Sequence, residues 1–242
     1  MRNNWTIARR ELSLYFNTPA AYLVAFMILL ILGILFYANL LAAFVRQFAP
    51  GVEIILSPFI MILLFGTAAI TMRTIAEEEK SGTIELLLTA PVRDSEFVVG
   101  KWLGAFLFML IIVAITWIYP IVLNALVDPG IDQGPLLTGY LGIILICAAL
   151  TAIGVSISAL FSNQIAAFFA TLGAYLLLWV IGVPSQVQGG SGGLLAYLDF
   201  SDHFYNTLFR GVIGSADVVY YLSITALALL IGTLIVETRR WR

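Results

Sequence analysis

Six long apolar runs separated by polar breaks set the pattern of this chain. They lie at 19–45, 54–75, 95–127, 135–161, 164–182 and 217–237. Each approaches or exceeds the ~20 residues that a helix needs to cross a bilayer core, so each predicts a membrane-spanning helix. The first has a clear beginning, because Asn17 and Thr18 are good N-cap residues and Pro19 suits a first helical turn. Ahead of it, WTIARRELSLYF puts Trp5, Ile7, Ala8, Leu12, Tyr15 and Phe16 mostly on one helical face. Arg9, Arg10 and Glu11 fall toward the other, which predicts an amphipathic helix over 1–17 lying in the membrane interface. A plain extension of the first span is the alternative.

The breaks differ in kind. FSNQ predicts a tight turn between the fourth and fifth spans, and Tyr119-Pro120 predicts a kink in the third. Gly100 with Gly104, and Gly154 with Ser158, have the small-xxx-small spacing that lets helices approach closely. The break at 183–216 opens with Pro184 and GGSGG, then turns apolar in LLAYLDF and HFYNTLFRGVIG. Those pieces are too short to span. They predict two short helices dipping into the membrane, with Asp199, Asp202 and His203 at their junction; an outer loop with scattered aromatics is the alternative.

Composition agrees. Of 242 residues, 61% are hydrophobic and 11% charged, with mean hydropathy +1.01. Soluble domains carry about 25% charged residues, so this chain belongs in a bilayer as one transmembrane domain over 1–242. A net charge of −2 with no basic face argues against nucleic acid. Cys147 is the only cysteine and His203 the only histidine, which excludes an internal disulfide and a His–Cys metal cluster. The first apolar run exceeds the ~7–15 residues of a signal-peptide core and reads as an uncleaved insertion signal.

Lysine and arginine orient the spans. Arg2, Arg9, Arg10, Arg73, Lys80, Arg93, Lys101, Arg239, Arg240 and Arg242 fall on one side, against Arg46 and Arg210 on the other. Both termini are therefore expected in the cytoplasm. Ionisable groups are almost absent at mid-membrane; Lys101 and Glu237 sit near inner ends, where they are expected to snorkel. That argues against an ion-driven transporter and against an acid–base enzyme. No G-x-x-x-x-G-K-[ST] loop is present to hold a nucleotide. Asp199, Asp202 and His203 could reach a divalent metal, but solvated loop residues are the commoner reading, and no metal site is predicted.

The charged island from Arg73 to Lys101 stands apart. Glu77, Glu78, Glu79 and Lys80 extend the second span beyond the bilayer until Ser81 and Gly82 break it. Thr83 to Thr89 then make two turns, with Ile84, Leu86, Leu87 and Leu88 as an apolar surface beside Glu85. Pro91 stops them, and Asp94 or Ser95 is expected to cap the next helix. A short cross-helix held between two stiff helices would pass a force to both. An interfacial loop resting its leucines on lipid fits the residues equally.

At these residues the chain resembles a known family. EEEKSGTIELLLTAPV followed by GKW is similar to the signature of ABC-2-type transporter permeases, and more narrowly of the gliding-motility-type branch. The likeness continues through ARRELSLYFNTPAAYL, the YP of the third span, DPG with LLTGYLG, AIGVSISALFSNQIAA, HFYNTLFRGVI and ETRRW.

The resemblance implies an all-α membrane fold with six transmembrane helices, an amphipathic connecting helix, a cytoplasmic coupling helix within 76–94 and re-entrant outer helices. It implies a non-catalytic permease of a prokaryotic plasma membrane, paired with a second copy or paralogue. A cytosolic ATPase subunit would bind ATP and Mg, and an auxiliary extracytoplasmic membrane protein is a further partner. Carried over by position, Glu78, Glu79, Lys80, Gly82, Thr83, Ile84, Glu85 and Leu86 would contact the ATPase. Arg9, Arg10 and Glu11 would lie on the connecting helix, and Tyr197, Asp199, Asp202, His203 and Arg210 in the re-entrant pair. DFSDHFYNTLFRG departs from the family pattern, so no substrate contact is carried over to it. The rival function is a membrane scaffold that anchors a soluble partner and moves nothing.

Overall fold

The computed structural model describes residues 2–82, 93–181 and 197–240. Its elements are α1 (Arg2–Asn17), α2 (Pro19–Val45), α3 (Glu53–Thr71), α4 (Ala76–Lys80), α5 (Asp94–Ile115), α6 (Ile118–Leu126), α7 (Gln133–Ser158), α8 (Gln164–Val180), α9 (Asp202–Tyr205), a 3-10 turn (Leu208–Arg210) and α10 (Ser215–Arg240). No strand occurs among the described residues. Five helical stretches are long and apolar enough to cross a membrane: Pro19–Arg46, Glu53–Lys80, Asp94–Leu126, Gln133–Ser158 and Ser215–Thr238. Gln164–Val180, expected as the fifth span, is a shorter apolar helix of 17 residues.

The bundle forms around α7, whose most apolar stretch is 78% buried against 22% for α2. Small residues explain the difference. Gly139, Gly142 and Gly154 let α7 receive Leu56, Phe204 and Thr71 at distances that a Cβ would close. Conversely, α2 exposes Leu23, Phe26, Leu30, Ile34 and Tyr37, an apolar face fit for lipid or another membrane chain. Cys147 is buried on α7.

Two ends of the bundle can be told apart from side-chain contacts. At one, α1 lies against the start of α5, and Val236 of α10 joins Ile75, Phe97, Val98, Val155 and Ala159 in a small apolar cluster. Both terminal helices therefore meet at this end. At the other, the Thr138 hydroxyl bonds the Leu208 carbonyl at 2.7 Å, seating the 3-10 turn on the first turns of α7. Asn163 makes the tight turn before α8, its Oδ1 accepting from Ile165 N at 2.9 Å.

Proline breaks the third apolar stretch where expected. Pro120 has no N–H to give Thr116, four residues back, and the helix parts between Ile115 and Ile118. The Thr116 carbonyl instead takes the Tyr140 hydroxyl at 3.1 Å, and the Tyr119 hydroxyl reaches the Leu29 carbonyl on α2 at 2.9 Å. Tyr140→Phe is expected to destabilise the bundle by about 1 kcal/mol, the net worth of one buried bond, read as a lower unfolding midpoint in detergent.

Three local expectations are corrected. The second span does run on into the acidic run, as one stretch Glu53–Lys80, but its helical hydrogen-bond ladder is interrupted by a turn at 72–75 rather than continuing as one regular helix. The groups released there are taken up from afar: Ser158 Oγ accepts from Ile75 N and Ala76 N at 3.1 Å and donates to the Met72 carbonyl at 3.2 Å. Asp94 and Ser95 do not cap α5; Arg93 is the cap residue, and Glu96 accepts its backbone N–H at 3.3 Å. Thr18 does stand before α2, but its hydroxyl turns back to the Leu14 carbonyl at 2.6 Å rather than capping.

Candidate functional site

Three successive residues of α5 reach three different neighbours, since each step turns a helix by about 100°. Gly100 faces α1, where an added Cβ would lie 2.7 Å from Ile7 Cβ. Trp102 Nε1 donates to the Ala148 carbonyl and Thr151 Oγ1 of α7, both at 3.1 Å. Between them, Lys101 is 2% exposed.

Its ammonium donates to Glu11 Oε1 and Oε2 at 3.2 and 3.1 Å, meets Glu78 Oε1 at 3.0 Å, and donates to the Thr74 carbonyl at 2.6 Å. An ammonium has three hydrogens, and the three partners come from α1, α4 and the 72–75 break. The Phe97 ring lies 5.4 Å beneath it. One cation thus ties together three segments that are distant in sequence.

Two expectations fail here. Glu11 does not share an outward face with Arg9 and Arg10; those two are exposed and Glu11 is buried. Nor does Lys101 snorkel to water, because two carboxylates and a carbonyl take its charge inside the protein. The signal was in the period. Asn4, Ala8, Glu11 and Tyr15 recur at helical spacing and form the covered stripe of α1. Tyr15 at its end bonds the Ile70 carbonyl at 3.4 Å and Thr74 Oγ1 at 3.3 Å. Burial pushes its phenol well above the usual range, with the Glu11 charge adding to the effect, so the hydroxyl keeps its proton.

A cavity of about 220 Å³ opens beside the cluster, between α1, α2 and the end of α3. Leu14, Ala21 and Val24 form its apolar wall, and Glu11, Arg73 and Glu77 its charged floor. Arg73 and Glu77 pair at 3.1 Å across one helical turn.

The remaining island residues lead outward. Glu79 is half-buried and Lys80 exposed at the end of α4. Gly82 turns the chain with φ 71°, a left-handed conformation that suits glycine. Thr83, Ile84, Glu85 and Leu86, with Leu87, Leu88 and Pro91, lie outside the described residues, as do Pro184 and the glycine-rich run after it.

At the opposite end, the second of the two short helices expected, HFYNTLFRGVIG, is one α turn, α9, and one 3-10 turn, both seated on α7, while the first, LLAYLDF, lies partly outside the described residues. Phe200, Phe204 and Leu208 anchor them. Asp199 is buried, its Oδ1 accepting from Ser201 N at 2.9 Å, Ser201 Oγ at 2.6 Å and Asp202 N at 3.4 Å. His203 Nδ1 lies 2.7 Å from Asp217 Oδ1 and Nε2 lies 2.9 Å from the Tyr197 carbonyl. With both ring nitrogens engaged, His203 presents neither a base to a substrate nor a ligand to a metal. Asp202 pairs with Asn206, and Arg210 is exposed at the end of the 3-10 turn, apart from this cluster.

No curated protein matches the chain. A family model does, described as ABC-2 family transporter protein, over residues 38–238. That match covers α3 to α8 whole and most of α10, together with Lys101, Glu78 and the His203 cluster. The match, over most of a chain built from apolar helices, carries one conclusion: the chain belongs to the ABC-2 transporter family, as a multi-pass membrane permease component that is not itself catalytic.

Proposed function

We propose that this chain is the path-forming half of an ATP-driven exporter, worked by a separate cytosolic ATPase that binds ATP and Mg. Gln164–Val180 completes a set of six spans, and the lysine and arginine bias sets both termini in the cytoplasm of a prokaryotic cell. Within the family, the ordered motifs favour the gliding-motility-type branch. The segment 76–94 serves as coupling helix, α1 as connecting helix, and the 197–210 turns as a re-entrant pair. A second permease copy covers the exposed face of α2.

The observation that carries this reading is the Lys101 hub. Allosteric coupling requires an element whose arrangement both sites bias. A push on 83–89 enters α4 through Gly82 and arrives at Glu78. Because Lys101 holds Glu78 and Glu11 at once, α4, α5 and α1 respond as a unit. Arg10 lies within electrostatic reach of Glu78 as well, so the connecting helix engages the acidic run through two neighbouring residues. A scaffold needs only an exposed dock; it has no use for a buried ionic joint behind one.

The reading is tested by replacing Glu85 and Leu86 together in the reconstituted permease–ATPase complex. ATP hydrolysis is expected to continue while ATP-dependent transport falls, with the spans still folded by circular dichroism. Transport unchanged relative to hydrolysis in that double variant overturns the assignment.

A further inference from the structure

We propose that His203 is a proton-binding latch, closing the segment that begins at Tyr197 onto the first turn of α10 only while its ring carries both protons. The geometry that carries this is the pair of contacts at the ring. Nδ1 faces a carboxylate oxygen of Asp217 at 2.7 Å and Nε2 faces the backbone carbonyl of Tyr197 at 2.9 Å. Both partners are acceptors. A neutral imidazole has one N–H and one lone pair, whereas the imidazolium has two N–H donors. With Asp217 ionised, only the imidazolium satisfies both contacts; in either neutral tautomer, one of them then sets lone pair against lone pair.

The ring is also held in its plane. It stacks on Tyr220 with centroids 4.0 Å apart, and Tyr197 meets it edge-on at 5.2 Å. Turning it over would put carbons where the nitrogens now sit and lose both bonds. The titratable groups around it are Asp217, Tyr220 and Tyr221 from α10, and Tyr197, Asp199 and Asp202 from its own segment. Tyr221 lies within electrostatic reach of Asp199, Asp202 and Asp217 together, and of these Asp217 is the carboxylate seen to meet the ring.

Structurally, one protonated side chain joins three pieces: Tyr197, the α9 turn and the start of α10. The sign follows. The latch is whole in acid, and it is lost as rising pH removes the second proton and one of the two bonds with it. If the orientation proposed above holds, the latch reads the pH outside the cell, but its chemistry does not depend on that orientation or on the exporter reading.

His203 is the only histidine in the chain, so its titration can be watched without assignment. The full chain is labelled with ¹⁵N-histidine, purified by a tag without histidine, and placed in lipid nanodiscs. Nitrogen spectra across pH are expected to show an imidazolium with both nitrogens protonated at the acid end of the range. On further alkalinisation that signal is lost, together with amide-exchange protection over 203–208. Asp217→Asn is expected to lose the imidazolium signal at a lower pH than the wild type does, and His203→Gln to make the exchange protection independent of pH. A latched ring that carries only one proton in the wild-type chain at the acid end overturns the proposal, and needs no variant to fold. So does an imidazolium that persists unchanged in Asp217→Asn, or an exchange profile that His203→Gln leaves as it was.

Discussion

Lys101→Met is expected to be among the most damaging single substitutions in this chain. Methionine approximates the volume of the lysine stem, so packing against Phe97 is largely kept and the charge is what goes. Glu11 and Glu78 then both lose the buried ammonium between them, and the Thr74 carbonyl loses its donor. Removing one partner of a buried ion pair costs about 3–5 kcal/mol, because the remaining charge is stranded. Thermal unfolding in detergent should show a large fall in midpoint. In the permease–ATPase complex, transport should fall further than ATP hydrolysis.

The chemistry of the rescue separates two roles for the hub. Adding Glu11→Gln and Glu78→Gln to Lys101→Met removes the stranded charges, and replacing a whole buried ion cluster by neutral groups is often close to neutral in stability. The triple variant should therefore recover most of the lost midpoint. If the hub also transmits force, transport should stay low in that refolded protein, since α1 and α4 no longer share a partner. Lys101→Arg should recover little, because a planar guanidinium cannot direct its donors to three acceptors arranged around a point. A single Lys101→Met variant as stable as the wild type would falsify the buried-pair account.

What the sequence made legible follows from how local each signal is. Apolar length depends only on composition within a window, so the five long spans could be read, as could the break forced by Pro120 and the tight turn at FSNQ. Gly82 ends α4 as its residue type suggests. The misreadings share one cause. Glu11 reads as a wet-face residue because it is charged, although the stripe through Ala8 and Tyr15 claims its position by spacing. Lys101 reads as a snorkelling residue for the same reason. In both cases residue type points one way and tertiary burial the other, and the partner that makes burial tolerable lies 90 positions away in the chain.

Other features had no local signal. The residues at 72–75 include neither proline nor glycine, so nothing in them announces that the helix will part. The break is tolerated because Ser158 and Lys101, from other helices, take the released backbone groups. The contact of His203 with Asp217 crosses 14 positions and an irregular connection, where no helical or strand period applies. His203 could be named as a candidate, but Asp217 could not, because their pairing belongs to the tertiary structure.

Gly104 tests how α1 is held, and a second glycine supplies the comparison. A Cβ at Gly104 would lie 2.5 Å from Glu11 Cβ and 3.2 Å from the Ala8 carbonyl oxygen, so both side chain and backbone of α1 stand in its way. Gly173 on α8 has nothing within 4 Å. In an isolated helix both changes to alanine would stabilise by up to about 1 kcal/mol. Gly173→Ala should therefore be neutral or stabilising, whereas Gly104→Ala should cost about 1–3 kcal/mol from overpacking. Gly104→Leu should go further and lift α1 off α5, pulling Glu11 from Lys101. Amide exchange along α1 should then rise sharply while exchange in α7 stays slow. The spacing of Gly100 and Gly104 also suits a contact between two copies of a membrane helix, and that reading predicts something different: a changed oligomeric state with α1 as protected as before. If Gly104→Ala and Gly173→Ala prove equally stable, the glycines are not what seats α1, and the Lys101 hub must hold it alone.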